Sequence, residues 1–200
     1  MQMRVSFLPS VLVFSSFRNG VELTKQIVSG AGGATRGAAM AGLKVMWGLD
    51  FNNNAAETWR VNFPQATMYE MWADEVCSLP DPDDDLHVDV LHLSPPCQVW
   101  SPAHTVPGRE DEMNFASLFA VQELISKAKP RIVTLEQTFG ILHDRFTQPF
   151  NSLIRMFTDH NFSVSWQVIE LQRLGLPQRR KRLIIVAAGS VYPASYVSAS

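Results

Sequence analysis

The chain has 200 residues, 46% of them apolar, and a formal net charge of −2. This length and apolar content suffice for one sizeable α/β core, while the near-neutral charge argues against a broad basic surface that grips nucleic acid. Two cysteines supply neither a disulfide framework nor a zinc ligand set, so we expect a reducing compartment and no metal.

The chain begins with an atypical segment over residues 1–23. Residues 1–17 are mostly apolar and superficially resemble a secretion signal, but Pro9 interrupts the apolar run and no small-residue cleavage pattern follows. We therefore expect no export. The next segment, 26–28, is predicted to be a weak first strand, because it contains the polar residue Gln26 and follows Lys25.

A Gly-rich turn follows this weak strand and precedes a helical pattern over residues 34–41. The turn reads Ser29-Gly30-Ala31-Gly32-Gly33. Glycines at such a turn let backbone amides approach a ligand closely, although the motif alone is a weak signal.

Strand-like apolar runs alternate with helical patterns along the rest of the chain, which is the βαβ rhythm of a parallel sheet. We predict an α/β fold, with a mostly parallel sheet and helices on both faces, in a core over residues 24–190 followed by a tail over 191–200. The predicted strands are 43–49, 88–93, 131–135, 163–171 and 183–188; the predicted helices are 34–41, 54–62, 115–127 and 146–160.

The most informative run is Ser94-Pro95-Pro96-Cys97-Gln98, at the end of a predicted strand. The two prolines fix the direction in which the chain leaves the strand. Cys97 is therefore predicted at the carboxyl end of a strand, where open α/β sheets bind their ligands, and the run 101–108 is a candidate to close over a ligand. The alternative is an inert, buried cysteine in a Pro-rich turn.

A polar residue ends one predicted apolar strand, and a basic run precedes another. Glu136 ends the run 131–135, and the basic run 177–182 leads into the run 183–188. Alternate side chains of a strand point the same way, so Gln178, Arg180 and Arg182 are predicted on one side. Each feature also has an ordinary explanation, since a lone strand-end glutamate and a basic cluster are usually solvated.

Taken in order, the Gly-rich turn, Pro-Pro-Cys-Gln, the strand-end glutamate and Gln-x-Arg-x-Arg resemble the motif series of the cytosine carbon-5 DNA methyltransferases, over residues 29–188. Ser101-Pro102-Ala103-His104-Thr105 and Glu136-Gln137-Thr138, where most relatives have Glu-Asn-Val, resemble the fungal subgroup linked to repeat-induced silencing. The resemblance implies a Rossmann-like fold dependent on S-adenosylmethionine, a nuclear location, DNA with a flipped cytosine as substrate, possible silencing or chromatin proteins as partners, and no membrane association.

The resemblance also implies catalytic roles that the chemistry independently requires. Cys97 is the nucleophile that attacks carbon 6 of cytosine. Glu136 is the acid against nitrogen 3, and Arg182 is the cation at the ring carbonyl. Arg180, with Gln178, is expected to position the loop or the backbone phosphates.

For the methyl donor, the resemblance places the methionine part of S-adenosylmethionine against the Gly-rich turn, at Ser29, Gly30, Ala31, Gly32 and Gly33. Asp50, where the family usually has Glu, is expected to accept hydrogen bonds from the ribose hydroxyls. Phe51 matches the aromatic residue that lies on adenine. Asp74, in a segment over 71–76 that we interpret as a loop, matches the acid that accepts from the exocyclic amine.

Two departures from the family keep other functions open. The target-recognition region and the last segment of the family are expected after the Gln-x-Arg-x-Arg strand, whereas this sequence stops at Ser200, so we expect a C-terminally truncated core. That truncation and the Gln137-Thr138 variation favour a non-catalytic silencing protein as the alternative. Cytosine-5 methylation of transfer RNA is a second alternative, because DNA and transfer-RNA methyltransferases share the catalytic motifs. The sequence Ser-Pro-Ala-His-Thr after Cys97 favours DNA.

Overall fold

A computed structural model describes residues 5–8, 11–14, 32–80, 85–96, 100 and 111–189. The predicted first strand over 26–28 lies outside these residues. The described elements are β1 Val5–Leu8, β2 Val11–Phe14, α1 Gly33–Met40, β3 Trp47–Leu49, α2 Asn53–Asn62, β4 Thr67–Tyr69, α3 Ala73–Ser78, β5 Val90–Leu93, α4 Asp111–Ala128, β6 Ile132–Gln137, α5 Thr147–Thr158, β7 Phe162–Glu170 and β8 Lys181–Gly189.

The larger sheet has the strand order β5-β6-β8-β7. Strands β5 and β6 are parallel, whereas β8 runs antiparallel to both β6 and β7. The alternating pattern of the sequence did not indicate this reversal. Its physical reason is the connection between β7 and β8, which contains only a short 3-10 helix over Leu171–Leu174, whereas parallel neighbours need a longer crossover.

Two smaller sheets complete the described strands. Strands β3 and β4 form a parallel pair, and β1 and β2 form an antiparallel pair. The predicted strand over 43–49 is shorter in the structure, because only Trp47–Leu49 pairs with a neighbour there. Leu43 and Val45 are nevertheless buried, which explains why apolar residues begin before the paired part of the run.

Helices α1, α2, α4 and α5 agree with the sequence patterns, whereas α3 lies in a segment interpreted as a loop. Asn52 caps α2, because its side chain accepts a hydrogen bond from the Ala55 N–H at 3.1 Å. Ala56 and Trp59 are fully buried on this helix, and α5 buries Leu153 and Phe157. The amphipathic spacing of these residues therefore predicts both helix and burial.

Helices cover both faces of the larger sheet, as predicted. Val90 and Ile132 are paired in register on one face, where they pack with Ala38 of α1 and Leu43. The next residues of the same strands, Leu91 and Val133, point to the opposite face. There they join the main core with side chains of β3, α4 and α5, namely Trp47, Leu49, Val121, Leu124, Ile125, Leu153, Met156 and Phe157. Within the described ranges, no helix is long and apolar enough to cross a membrane.

Candidate active site

The carboxylate of Glu136 lies at the carboxyl-terminal end of β6 and is held by two arginines of the neighbouring chain segment. Arg180 donates from Nη2 to Oε1 of Glu136 at 2.9 Å, and Arg182 donates from Nε to the same oxygen at 3.0 Å. Neither bond uses the other carboxylate oxygen, Oε2. The predicted placement of Arg180 and Arg182 on one side of the strand is thus confirmed, and their contact with Glu136 was not anticipated.

Arg182 is fixed from a second direction. Its Nη1 donates to the carbonyl oxygen of Lys181 at 2.8 Å, and its side chain is mostly buried, with 20% exposure. Charge-assisted hydrogen bonds of this kind are stronger than neutral ones. The guanidinium is therefore held in one orientation, with its third nitrogen, Nη2, outside both bonds.

Gln137 connects the end of β6 to the run that carries the two prolines. Its buried side chain accepts a hydrogen bond from the Thr138 N–H at 2.8 Å and directs Nε2 toward the Pro95 carbonyl, at the long distance of 3.5 Å. A residue adjacent to Glu136 thus contacts the chain two residues before Cys97. Cys97 itself, together with Gln98 and the run 101–108, lies outside the described residues.

His92 is a half-buried polar residue of β5 that the sequence did not single out. Its Nδ1 lies 2.8 Å from Oγ1 of Thr134, its partner in register on β6. Desolvation lowers the pKa of His92 to about 4, against the opposing influence of the negative charge of Glu136. Nε2 is buried and has no hydrogen-bond partner among the described residues. The signal in the sequence was a histidine between the apolar residues Leu91 and Leu93.

Asp50 follows β3 directly and shapes the turn into α2. Its backbone N–H donates to the Tyr69 carbonyl at 3.1 Å, which continues the pairing of β3 with β4. Its side-chain Oδ1 accepts from the Asn52 N–H at 2.8 Å. This local turn is typical of Asp and fixes the backbone of the residue between them, Phe51.

The Phe51 ring is stacked on Trp72. The ring centroids are 4.0 Å apart, the interplanar angle is 6°, and the two side chains are 50% and 43% exposed. Phe51 is thus the half-exposed aromatic residue that the sequence analysis placed beside Asp50. Trp72 was not foreseen, because contact between these residues depends on the neighbouring ends of β3 and β4.

Gly32 is constrained by packing against α2. It has a φ of 99°, and a Cβ built there would lie 2.7 Å from Cε2 of Phe63 and 3.2 Å from Cδ1 of Trp59. The protein's own side chains thus fill the space on the Cβ side of Gly32, which is a packing reason for glycine here, and its predicted role beside the donor stays a prediction. Gly33 is exposed, and a Cβ there would meet no other atom within 4 Å. Ser29, Gly30 and Ala31 lie outside the described residues.

Asp74 is exposed in the first turn of α3, and the segment interpreted as a loop is largely helical, from Ala73 to Ser78. The position at the end of β4, next to the end of β3, is occupied by Glu70. Glu70 accepts from Nδ2 of Asn53 at 2.9 Å and from Nη1 of Arg60 at 2.7 Å, and these bonds lower its pKa. Sequence reasoning missed Glu70 because the end of this short strand was not recognised.

The other cysteine of the chain, Cys77, is half-buried on α3. Desolvation, reinforced by the negative charge of Glu123, raises the pKa of its thiol to about 11. A thiol that stays protonated at neutral pH is a poor nucleophile, which favours a structural role for Cys77. Within the described part of the chain, no group of three or more His, Cys, Asp or Glu residues could hold a metal ion.

Comparison with known proteins identifies relatives over most of the chain. Residues 24–198 match the family model described as C-5 cytosine-specific DNA methylase. Type II methyltransferase M.Sau96I of Staphylococcus aureus is 26% identical over 158 residues, which cover 79% of this chain and 36% of that protein.

Solved structures share the fold. A prophage-encoded E. coli protein described as a DNA modification methyltransferase aligns with a TM-score of 0.70 and 20% identity, over 84% of this chain and 47% of that one. The S. pombe Dnmt2 methyltransferase aligns with a TM-score of 0.64 and 15% identity, over 89% of this chain and 51% of that one. The Rossmann-like methyltransferase fold is thus confirmed, and the chain spans about half, or less, of the length of these relatives.

Proposed function

The chain belongs to the C-5 cytosine-specific DNA methylase family, and we propose that it transfers a methyl group from S-adenosylmethionine to carbon 5 of cytosine in DNA. The observation that carries this proposal is the single carboxylate oxygen of Glu136 held by Arg180 and Arg182. This cluster provides an acid and a cation side by side at the end of β6, with Gln137 linking it to the segment that leads to Cys97.

Carbon 5 of cytosine is a poor nucleophile, so the ring has to be activated first. In the proposed reaction, the thiolate of Cys97 forms a bond to carbon 6 while Glu136 holds a proton at nitrogen 3, which turns the ring into an enamine. Carbon 5 then forms a bond to the methyl carbon while the bond from that carbon to the sulfur of the donor breaks, and S-adenosylhomocysteine leaves. A base removes the proton from carbon 5, the bond between carbon 6 and the sulfur of Cys97 breaks, the thiolate is regenerated, and the proton at nitrogen 3 returns to Glu136.

We assign to Arg182 the stabilisation of the charge that develops on the ring. Its Nε and Nη1 are already bonded within the protein, so the guanidinium is oriented before the base arrives. Nη2 takes part in neither bond and is the group we assign to the ring carbonyl. Preorganised donors of this kind lower the barrier because no reorganisation is needed during the reaction. Arg180 holds Glu136 from the other side.

The described residues fit S-adenosylmethionine, which supplies an electrophilic methyl group when it is bound. Asp50 follows β3 directly, its Oδ1 accepts from the Asn52 N–H, and its carboxylate is the group we assign to the ribose hydroxyls. The half-exposed ring of Phe51 offers an apolar face for the purine, and exposed Gly33 leaves the start of α1 open. Glu70 lies at the strand end beside Asp50 and is a candidate acceptor for the exocyclic amine of adenine. The same role for Asp74 remains a prediction.

We further propose that the protein acts in the nucleus, within the fungal subgroup linked to repeat-induced silencing, alongside silencing or chromatin proteins. Support comes from the sequence after Cys97 and from Gln137-Thr138. Gln137 replaces the usual Asn, yet its side chain still contacts the Thr138 N–H and points to Pro95. This contact favours a working catalytic site over the non-catalytic alternative.

The proposal is tested with tritiated S-adenosylmethionine and the full chain, offered either duplex DNA or transfer RNA. We expect label in DNA, recovered after digestion as 5-methyldeoxycytidine. Label recovered only as 5-methylcytidine from the RNA would favour the transfer-RNA alternative. No label in either nucleic acid, from a protein that is folded and binds the donor, would contradict the proposal and favour the non-catalytic alternative.

A further inference from the structure

The stacked pair of Phe51 and Trp72 is unusual because both large rings remain half exposed. Phe51 is 50% exposed and Trp72 is 43% exposed, although their centroids are only 4.0 Å apart and their planes differ by 6°. A pair that served only the core would be covered by other side chains. One face of each ring is instead in contact with the other ring, and the pair keeps substantial aromatic surface accessible.

Both rings are carried by ordered backbone. Phe51 lies between Asp50 and Asn52, whose side-chain-to-backbone hydrogen bond closes the turn at 2.8 Å. The Trp72 N–H donates to Oε2 of Glu75 at 2.7 Å, directly before α3. The stack is therefore preorganised, and little side-chain freedom is left to lose when a planar ligand binds.

We propose that Trp72 is a positioning residue for the methyl donor. It holds the Phe51 ring so that the open face of Phe51 receives the purine, which completes a stack of three planar groups. This inference rests on the proposed function, since it assigns a further residue to the same donor site. Trp72 acts through Phe51, and its contribution is the orientation of that ring rather than a contact with the reacting atoms.

The size of the effect follows from the energetics of aromatic pairs. Such pairs contribute about 0.5 to 1.5 kcal/mol beyond their burial, which corresponds to about a 2- to 12-fold change in affinity. Because the purine does not take part in the chemical step, loss of Trp72 should raise the KM for the donor. The value of kcat at saturating donor and the KM for DNA should stay the same.

The chain provides a matched control in Trp166. This side chain is 46% exposed, and it contacts Phe150 edge to face with ring centroids 5.4 Å apart. It is therefore a second half-exposed tryptophan that packs on a phenylalanine, on β7. Trp166→Ala removes a comparable side chain from a different part of the fold.

The experiment is a calorimetric titration of the full chain with S-adenosylhomocysteine and with adenosine. Trp72→Ala should weaken both ligands about 2- to 12-fold, Trp72→Phe should restore most of the affinity, and Trp166→Ala should bind like wild type. Trp72→Leu retains apolar volume without a ring and should behave like Trp72→Ala, which keeps the test valid if the alanine variant does not fold.

Three results would overturn the inference without refuting the donor site. Unchanged affinity in both Trp72→Ala and Trp72→Leu would show that the stack does not support the donor. Equal weakening by Trp166→Ala would indicate a general effect on the fold. Weakening of S-adenosylhomocysteine without weakening of adenosine would place the effect away from the purine. In all three cases wild type still binds, whereas a wild-type protein that binds neither ligand would refute the donor site of the proposed function and this inference with it.

Discussion

Arg182 of β8 donates its Nε–H to Oε1 of Glu136 on β6 at a distance of 3.0 Å. The two residues are 46 positions apart in the chain, and the antiparallel pairing of β6 with β8 brings them together. Because Arg182 is also bonded to the Lys181 carbonyl, the acid and the cation of the proposed reaction hold each other in place. Changes to either residue should therefore affect the chemical step more than binding.

Arg182→Lys should lower kcat by about 10²- to 10³-fold, which is the usual cost of losing one preorganised donor. Lysine keeps the charge but cannot bond to Glu136, the Lys181 carbonyl and the base in fixed directions at once. Steady-state methylation kinetics give the measurement, with Arg179→Ala as the control. Arg179 is exposed, and no ion pair is found for it among the described residues, so its loss should change only DNA affinity and its salt dependence. Equal losses of kcat in both variants would contradict the role of Arg182.

Glu136→Gln should slow methyl transfer by about 10²- to 10⁴-fold, the usual range for a general acid. The amide is similar in size but cannot deliver a proton to nitrogen 3. Single-turnover kinetics with saturating DNA and donor isolate this step, and separate titrations should show nearly unchanged affinities for both. A variant with normal single-turnover rates and weakened DNA binding would assign Glu136 to binding instead.

Gly32→Ala should lower the free energy of unfolding by roughly 1 to 3 kcal/mol, because it combines a positive φ with overpacking. The added Cβ would meet the Phe63 ring at 2.7 Å. Gly33→Ala is the matched control, since the space around it is open, and it should unfold like wild type. Urea denaturation of both variants provides the comparison. Equal stability of the two variants would show that the Phe63 side chain shifts at little energetic cost and that packing does not constrain Gly32.

His92 should make the fold less stable in mild acid. Its pKa is about 4 in the folded protein and 6.5 for an ordinary histidine, so the unfolded chain binds a proton more readily. Stability is therefore fully present above pH 6.5 and is lost as the pH falls from about 6.5 to about 4, by roughly 3 kcal/mol in total. Urea denaturation across this range measures it. His92→Leu should flatten this part of the profile, and an unchanged slope in the variant would contradict the assignment.

The sequence predicted those parts of the site that depend on local patterns. Arg180 and Arg182 share a side because strand residues alternate, and Asp50 and Phe51 follow an apolar run that becomes β3. The α2 and α5 helices were predicted from apolar spacing in the same way. Each of these features depends on a few neighbouring residues, so no knowledge of the tertiary structure was needed.

The missed features depend on contacts between distant segments. His92 meets Thr134 only through the register of β5 with β6, and Trp72 meets Phe51 because β3 and β4 end side by side. The packing of Gly32 against Phe63 was missed for the same reason, since a glycine that faces a side chain and one that faces a ligand look identical in sequence. The reversal of β8 likewise depends on strand pairing, which the alternation of elements does not encode.

The central claim is that Cys97 attacks cytosine, and covalent trapping tests it most directly. The full chain is incubated with S-adenosylmethionine and duplex DNA that contains 5-fluorocytosine, whose fluorine prevents release of the adduct after methyl transfer. Denaturing electrophoresis should show a covalent complex with wild type and with Cys77→Ser, because the thiol of Cys77 has a pKa near 11 and is not the nucleophile. Cys97→Ser should give no complex. A covalent complex that persists in Cys97→Ser, or one that disappears in Cys77→Ser, would contradict the account.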